Sequence, residues 1–344
     1  MRSADFDYPL PAERIAQEPL AERDASRMLH VLAGGIGLED RSFRELPALL
    51  RPGDLLVVND TRVRRARLHG LDEGGRDVEL LILAREASGE YQCLARPARL
   101  AAPGAVVHIG ADLSATVVAV SSVHRGGRTV TFDAADPDAA IERAGVTPLP
   151  PYIHSELRDP ERYQTTYATG APNSAAAPTA GLHFTAPMIQ RLRDVDIGWA
   201  TLRLDVGLAT FAPIRTDRVE DHPMHAERYA LPAGTAAAIE ATQRRGGRVV
   251  AVGTTVVRVL ETCARDAETL RAGSGSTSLF IHPGHRFRAV DGLLTNFHQP
   301  RSSLLVLLAA FIGDERWRGA YAHALKAGYR FLSLGDCMLC WRSQ

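Results

Sequence analysis

The segment richest in chemistry is Ala176-Ala177-Pro178-Thr179-Ala180-Gly181-Leu182-His183-Phe184. A histidine titrates near neutral pH and can serve as acid or base. Gly181 lets the backbone approach something closely, Pro178 stiffens the entry, and Phe184 offers a flat ring for stacking. Just beyond, Thr185-Ala186-Pro187 reads as a helix start, with Thr185 as N-cap and Pro187 in the first turn. Taken alone, the pattern fits an active-site histidine and a hydrogen-bonded core histidine equally well.

Other polar groups share a position rather than a motif. Asn59-Asp60-Thr61 follows the apolar run Leu55–Val58, Asp205 follows Trp199–Leu204, and Gly253-Thr254-Thr255 follows Arg248–Val252. Asn296-Phe297-His298 closes Leu293–Phe297, and Asp336 follows Tyr329–Leu334. Each run reads as a strand. Turns favour these residue types in any case. Five such groups together nevertheless point to one crevice, because α/β sheets bind ligands outside the carboxyl ends of their strands. Gly253-Thr254-Thr255 stands between a strand and a helix, where free N–H groups and hydroxyls suit a carboxylate or phosphate.

Several chemistries are disfavoured. His225-Ala226-Glu227 has the spacing of zinc nucleobase deaminases, but Cys337-x-x-Cys340 follows Asp336 where proline is required. Two cysteines without a matching pair make only a weak zinc signal, and a polar loop with packing cysteines is the better reading. There is no phosphate-binding Walker loop, dinucleotide fingerprint or nucleophile elbow. Arg62, Arg64, Arg65 and Arg67 form a dense basic stretch that reads equally as a phosphate contact or a solvated strand face.

The elements that must position these residues fall into two textures. From Ala66 to Phe132 six short β-type runs follow one another: Ala66–Leu71, Val78–Ala84, Tyr91–Arg96, Ala105–Ile109, Ala115–Ser121 and Arg128–Phe132. Turn signals such as Glu73-Gly74-Gly75, Ala102-Pro103-Gly104 and Arg125-Gly126-Gly127 separate most of them, which predicts a small antiparallel barrel. On either side, apolar runs alternate with helical patterns, as in Thr235–Arg245, Val256–Arg265, Ser302–Ile312 and Trp317–Ala327. Met28–Leu32 before Gly34-Gly35-Ile36-Gly37 reads as a hairpin, and Arg271–Ser278 as a glycine-serine loop. The expectation is an α/β fold: a main α/β domain formed from both chain ends, residues 1–61 and 146–344, with an inserted small β-barrel domain at 62–145.

The 344 residues carry 40 basic and 40 acidic side chains, so a global basic excess for coating nucleic acid is missing and any phosphate grip must be local. Leu304–Ile312 is the longest apolar run and is far too short for a membrane span. MRSADFDYPLPAERIAQEP lacks an apolar signal region, and four cysteines make no disulfide framework. These features predict a cytoplasmic protein with no membrane association.

At these motifs the chain resembles the S-adenosylmethionine:tRNA ribosyltransferase-isomerases of queuosine biosynthesis. The resemblance runs nearly end to end, through PGDLLVVNDTRV, LPPYI, RYQTTYA, AAPTAGLHFT, EDHPMHAERY, AVGTTVVRVLE, TNFHQPRSSLL and YRFLSLGDCML. It implies a tRNA substrate whose anticodon loop bears 7-aminomethyl-7-deazaguanine at the wobble position. S-adenosylmethionine would donate its ribosyl carbons, with loss of adenine and methionine, to give epoxyqueuosine. It would be consumed as a substrate, with no cofactor or metal, by a monomer. The family's α/β domain plus smaller β-barrel agrees with the division above.

The sulfonium acidifies the C5′ protons, so a base is required, and adenine leaves more easily when protonated, so an acid is required. Set against the residues, that chemistry makes His183, Asp60, His298 and Asp336 the catalytic candidates, His183 and Asp60 foremost. Thr179, Gly181, Phe184, Asp205, His225, Glu227, Gly253, Thr254, Thr255, Arg258 and Asn296 become expected substrate-binding residues. Among these, Gly253, Thr254 and Thr255 would hold the methionine carboxylate or ribose, and Phe184 would cover the adenine. Arg62, Arg64 and Arg65 would touch RNA. The chain departs from the family pattern at Asp205, usually histidine, and Ala209, usually glycine. It also departs at Arg64-Arg65, at Asn173-Ser174-Ala175 and at Cys337. Asp205 keeps open a paralogue that uses S-adenosylmethionine on a different RNA or small-molecule acceptor.

Overall fold

A computed structural model describes residues 1–35, 37–121, 126–207, 210, 212–264 and 269–343. The chain divides into two units, one of Met1–Thr61, Pro150–Thr169 and Ala177–Gln344, the other of Arg62–Leu149 and Gly170–Ala176.

In the first unit the strands are β1 (Arg27–Val31), β2 (Leu38–Ser42) and β3 (Leu55–Asn59). The second unit contributes β4 (Arg62–Val63), β5 (Arg67–Asp72), β6 (Asp77–Arg85), β7 (Tyr91–Arg96), β8 (Val106–Ile109), β9 (Leu113–Val120), β10 (Gly127–Phe132) and β11 (Pro172–Ser174). The first unit resumes with β12 (Gly198–Leu204), β13 (Glu227–Leu231), β14 (Val249–Val252), β15 (Gly273–Thr277), β16 (Gly292–Asn296) and β17 (Cys337–Trp341). The helices are α1 (Leu46–Leu49), α2 (Pro137–Ala144), α3 (Ala186–Asp194), α4 (Ala233–Arg244), α5 (Thr254–Cys263), α6 (Ser303–Ile312) and α7 (Asp314–Lys326).

The six predicted strands of the second unit, β5 to β10, close into an antiparallel barrel in the order β10-β7-β6-β5-β8-β9. Inward alternation fills it with Leu68, Leu80, Ile82, Ala95, Val107, Ala115 and Val130, all buried. Helix α2 follows, capped by the Asp136 carboxylate on the Ala139 amide. The glycine after it, Gly145, has an ordinary extended backbone; a Cβ there would lie 1.8 Å from the Arg65 carbonyl, so close chain approach requires glycine.

The first unit holds a nine-stranded sheet in the order β15-β13-β12-β3-β14-β16-β17-β1-β2. Strands β3 and β14 lie near its centre and are buried at every position, which explains their unbroken apolar runs. One face packs Phe43, Leu46, Phe184, Met188 and Leu192 against Leu56, Val58, Val250, Val252 and Leu294. Thr185 caps α3 through the Met188 amide at 3.2 Å. Among the described residues no helix is long and apolar enough to cross a membrane.

Two expected elements are corrected. Tyr329–Leu334 is not a strand: Leu332 sits at φ 69°, and the segment turns back before β17. Its apolar pattern comes from packing, since Tyr329 and Phe331 both lie against Phe297. Arg271–Ser278 contains an edge strand, β15, paired with β13. The Tyr229 ring occupies the space where Gly275 would carry a side chain, so backbone pairing makes this strand despite its composition. Ile36, Arg125 and Arg265 of the predicted turns and helix, and Ala209, lie outside the described residues.

Candidate active site

The register brings the polar groups to one edge of the nine-stranded sheet. Strands β12, β3, β14 and β16 run parallel, so Asp205, Asn59-Asp60, Gly253 and Asn296 all fall at or just past their carboxyl ends. Strand β17 runs antiparallel to β16, with Asn296 opposite Cys337. Asp336 therefore reaches the same edge from the start of a strand rather than the end of one. Strand β1 is parallel to β17, with Met28 opposite Cys337, so Ser26 arrives there too. Glu227 does likewise, at the start of antiparallel β13.

His183 ends a short 3-10 turn, Thr179–His183, and is buried. Its Nδ1 lies 2.7 Å from Ser26 Oγ and its Nε2 3.3 Å from Asn296 Oδ1. Asn296 donates its amide to the Leu332 carbonyl at 3.0 Å, which turns Oδ1 toward the ring and assigns a proton to Nε2. In the neutral ring Nδ1 then accepts the Ser26 hydroxyl. In the imidazolium Nδ1–H donates to Ser26, whose hydroxyl turns to the Arg23 carbonyl 3.1 Å away. The frame thus accommodates both protonation states by rotating one hydroxyl. Burial, set against the Asn296 hydrogen bond and reinforced by Arg23 and Arg330, lowers the histidine to about 4.

His183 and Ser26 line a cleft with Pro19, Leu20, Arg23 and Arg162. Asn296 and His298 line a second cleft with Thr179, Thr210 and Tyr152, and Ser333 borders both. His298 is buried, its Nε2 2.9 Å from Thr295 Oγ1, and burial lowers it to about 3.

Asp60 stands two strands away from Asn296, about 10 Å at ordinary strand spacing. Its Oδ2 accepts the Thr169 hydroxyl at 3.2 Å. Its Oδ1 is buried 3.4 Å from Arg203 Nε, at ion-pair distance but without hydrogen-bond alignment. The Tyr167 hydroxyl, buried without a partner, is pushed up by burial and by the Asp60 charge. That hydroxyl would lie 2.1 Å from a Cβ on Gly181, so glycine is required where the histidine-bearing turn crosses Tyr167. Between the two stations stands the start of α5. Gly253 has φ 91°, Thr254 and Thr255 are buried, and Thr255 Oγ1 has no hydrogen-bond partner.

Other expected site residues brace this edge. Phe184 is fully buried, edge-on to Phe43 and Trp199, and presents no open face. Asp336 gives both oxygens to backbone amides, those of Arg27 at 3.0 Å and Arg330 at 2.8 Å. Burial raises it above the ordinary carboxylate range, and those amides oppose the shift. Asp205 accepts the Thr61 hydroxyl at 3.1 Å and pairs with Arg228 at 3.4 Å. Glu227 and Arg258 form a buried ion pair. Glu227 also accepts the Gly207 amide at 2.7 Å and the Thr210 hydroxyl at 3.2 Å, pinning the loop after β12. His225 is exposed. In the second unit Arg64 is committed to Asp138 at 3.1 Å and the Pro172 carbonyl at 2.9 Å. Arg65 lies 4.0 Å from Glu142, and Arg62 is half-buried in β4. Among the described residues no group of three or more His, Cys, Asp or Glu could hold a metal ion.

Sequence reasoning missed Ser26, Tyr167, Arg23, Arg162 and Arg330. Arg162 and Tyr167 lie in RYQTTYA and Arg330 in YRFLSLGDCML, motifs that carried the resemblance without marking which of their residues face a site, and Ser26 and Arg23 lie in no such motif. Only the fold gathers them around His183 and Gly181.

The chain was also compared with known proteins. A sequence model described as queuosine biosynthesis protein matches residues 3–340. The chain is 49% identical over 343 residues to an S-adenosylmethionine:tRNA ribosyltransferase-isomerase of Moorella thermoacetica, covering 98% of this chain and 99% of that protein. It is 50% identical over 342 residues to a protein of the same name from Thiobacillus denitrificans, covering 98% and 97%. The crystal structure of an S-adenosylmethionine tRNA ribosyltransferase from Thermotoga maritima aligns with a TM-score of 0.57 at 37% identity, covering 98% of this chain and 99% of that one.

Proposed function

The chain belongs to the queuosine biosynthesis protein family, and from that membership we infer that it acts as an S-adenosylmethionine:tRNA ribosyltransferase-isomerase. It transfers the ribosyl unit of S-adenosylmethionine to the aminomethyl nitrogen of 7-aminomethyl-7-deazaguanine at the tRNA wobble position. There it isomerises that unit to epoxyqueuosine and releases adenine and methionine. The observation that carries this reading is near full-length identity of about half to relatives of that name. S-adenosylmethionine is consumed as a substrate, and the reaction calls for no separate cofactor. We place the enzyme in the cytoplasm as a monomer.

The residue roles are part of the same proposal. Asp60, with one buried oxygen free of hydrogen bonds, is the base for the C5′ proton. His183 is neutral at working pH and exchanges its proton through the Ser26 hydroxyl, which lines the cleft. Taking up one proton through Ser26 makes it an imidazolium, which passes that proton to departing adenine and returns to the neutral ring. The start of α5, with the free Thr255 hydroxyl, receives the methionine carboxylate. Thr179, Asn296 and His298 line the second cleft as substrate contacts. Phe184, Glu227, Arg258 and Asp336 hold the edge in shape rather than touch substrate.

The test is adenine release from S-adenosylmethionine with deazaguanine-bearing tRNA against tRNA lacking that base. Release confined to the first supports the reading, and release indifferent to the tRNA refutes it. Single-turnover release by His183→Ala tests the role of the histidine; a near-normal rate would remove it.

A further inference from the structure

Arg23 and Arg162 line the cleft beside His183, and Arg330 stands at its rim, none of them in an ion pair among the described residues. Arg23 donates to the Leu182 carbonyl at 3.3 Å and the Glu161 carbonyl at 2.8 Å. Arg162 donates to the Ala21 carbonyl at 3.0 Å and the Leu20 carbonyl at 2.5 Å, leaving its Nε buried without a partner. Arg330 donates to the Glu18 carbonyl, next to cleft residues Pro19 and Leu20, and its Nη1 is likewise buried and unpaired. None of the three has a carboxylate within 4.0 Å among the described residues. Elsewhere in this unit, arginines such as Arg44, Arg248 and Arg258 take carboxylate partners.

Neutral carbonyls fix the guanidinium planes, while the carboxylates that act on them, Asp159 and Glu161 on Arg23 and Asp336 on Arg330, do so without an ion-pair contact. Burial and the neighbouring Arg162 press Arg23 below the ordinary arginine range against the smaller opposing pull of Asp159 and Glu161, and Arg23 and Arg330 both act on His183. Gathering like charges around a partly buried cleft costs stability unless an anion completes the site. Arginine forks match phosphate oxygens, and phosphate contacts set the register of a bound nucleic acid.

We propose that Arg23, Arg162 and Arg330 form a phosphate-binding site that grips the tRNA backbone beside the wobble nucleotide, next to His183. The inference rests on the tRNA substrate of the proposed function but assigns a contact surface to it. It locates the grip on RNA in the first unit, on a local cluster within a chain of zero net charge. A backbone phosphate is preferred to the methionine carboxylate because the proposed function assigns that carboxylate to the start of α5. Occupation would also cancel the positive field on His183 and make the ring easier to protonate once tRNA has bound.

The experiment measures binding of deazaguanine-bearing tRNA over a series of KCl concentrations, without S-adenosylmethionine. Wild type is compared with Arg162→Gln, Arg330→Gln and the pair combined, because glutamine keeps a donor for the holding carbonyl and removes the charge. The proposal expects a several-fold loss of tRNA affinity for each single variant. It also expects a salt slope shallower by about 0.7 for each phosphate no longer gripped. Arg162→Lys should retain most of the slope, and S-adenosylmethionine affinity should stay within twofold. Unchanged tRNA affinity and slope overturn the site, as does a loss confined to S-adenosylmethionine binding. Circular dichroism melting of each variant identifies one that has unfolded, and Arg23→Lys with Arg330→Lys then carries the test by loss of fork geometry. Failure of wild type to bind any tRNA strikes the proposed function instead.

Discussion

Replacing His183 by glutamine removes a buried titrating ring while keeping an amide near Asn296. The ring titrates at about 4 in the folded protein against an ordinary 6.5. The folded state therefore binds the proton less readily than the unfolded chain. The stability this contributes is fully present above about pH 6.5 and is lost as pH falls toward about 4. At about 1.4 kcal/mol per pKa unit, the whole effect is about 3 kcal/mol. Linkage places about 2 kcal/mol of it between about pH 7 and about pH 5. Urea denaturation of wild type and His183→Gln across that range isolates the contribution, because His298 and His30, which are also lowered, are common to both proteins. Wild type should lose about 2 kcal/mol more than the variant. A difference that does not change with pH would refute the buried, neutral histidine, and with it the proton exchange through Ser26.

Gly181→Ala forces a Cβ to within 2.1 Å of the Tyr167 hydroxyl and should cost about 1–3 kcal/mol in chemical denaturation, with much of it restored by adding Tyr167→Phe. Glu227→Ala leaves Arg258 buried and unpaired and should destabilise by about 3–5 kcal/mol, whereas Glu227→Ala with Arg258→Met should recover part of the loss. Asp205→Asn keeps an acceptor for Thr61 and should hold adenine release within several-fold of wild type. A loss of about a hundredfold would give the carboxylate a chemical role of general acid–base size.

Much of the fold was legible because its cues are local. Alternating short runs and glycine turns predicted β5 to β10 in order, and Thr185 declared the start of α3. Tyr329–Leu334 misled because aromatic packing on Phe297 produces the same apolar pattern as a buried strand. β15 was hidden because glycine and serine signal loops, while its pairing with β13 is a property of the partner strand. The shared edge was readable from strand ends, and Asp336 reached it even though its strand was misplaced. What could not be read is which side chains already have partners. Asp336 is consumed by two amides and Arg64 by Asp138, whereas one oxygen of Asp60 and the Thr255 hydroxyl remain without hydrogen bonds. Those pairings join segments far apart in sequence, as between Ser26 and His183.

The central claim is that S-adenosylmethionine gives up its ribosyl carbons to the tRNA base. Two labelled donors decide it, one carrying carbon-13 throughout the ribose and one only in the methyl group. After incubation with deazaguanine-bearing tRNA, nucleoside mass spectrometry should find the ribose label in the modified base, matched mole for mole by free adenine, and no methyl label. Methyl label in the tRNA, or a modified base without adenine release, would contradict the account.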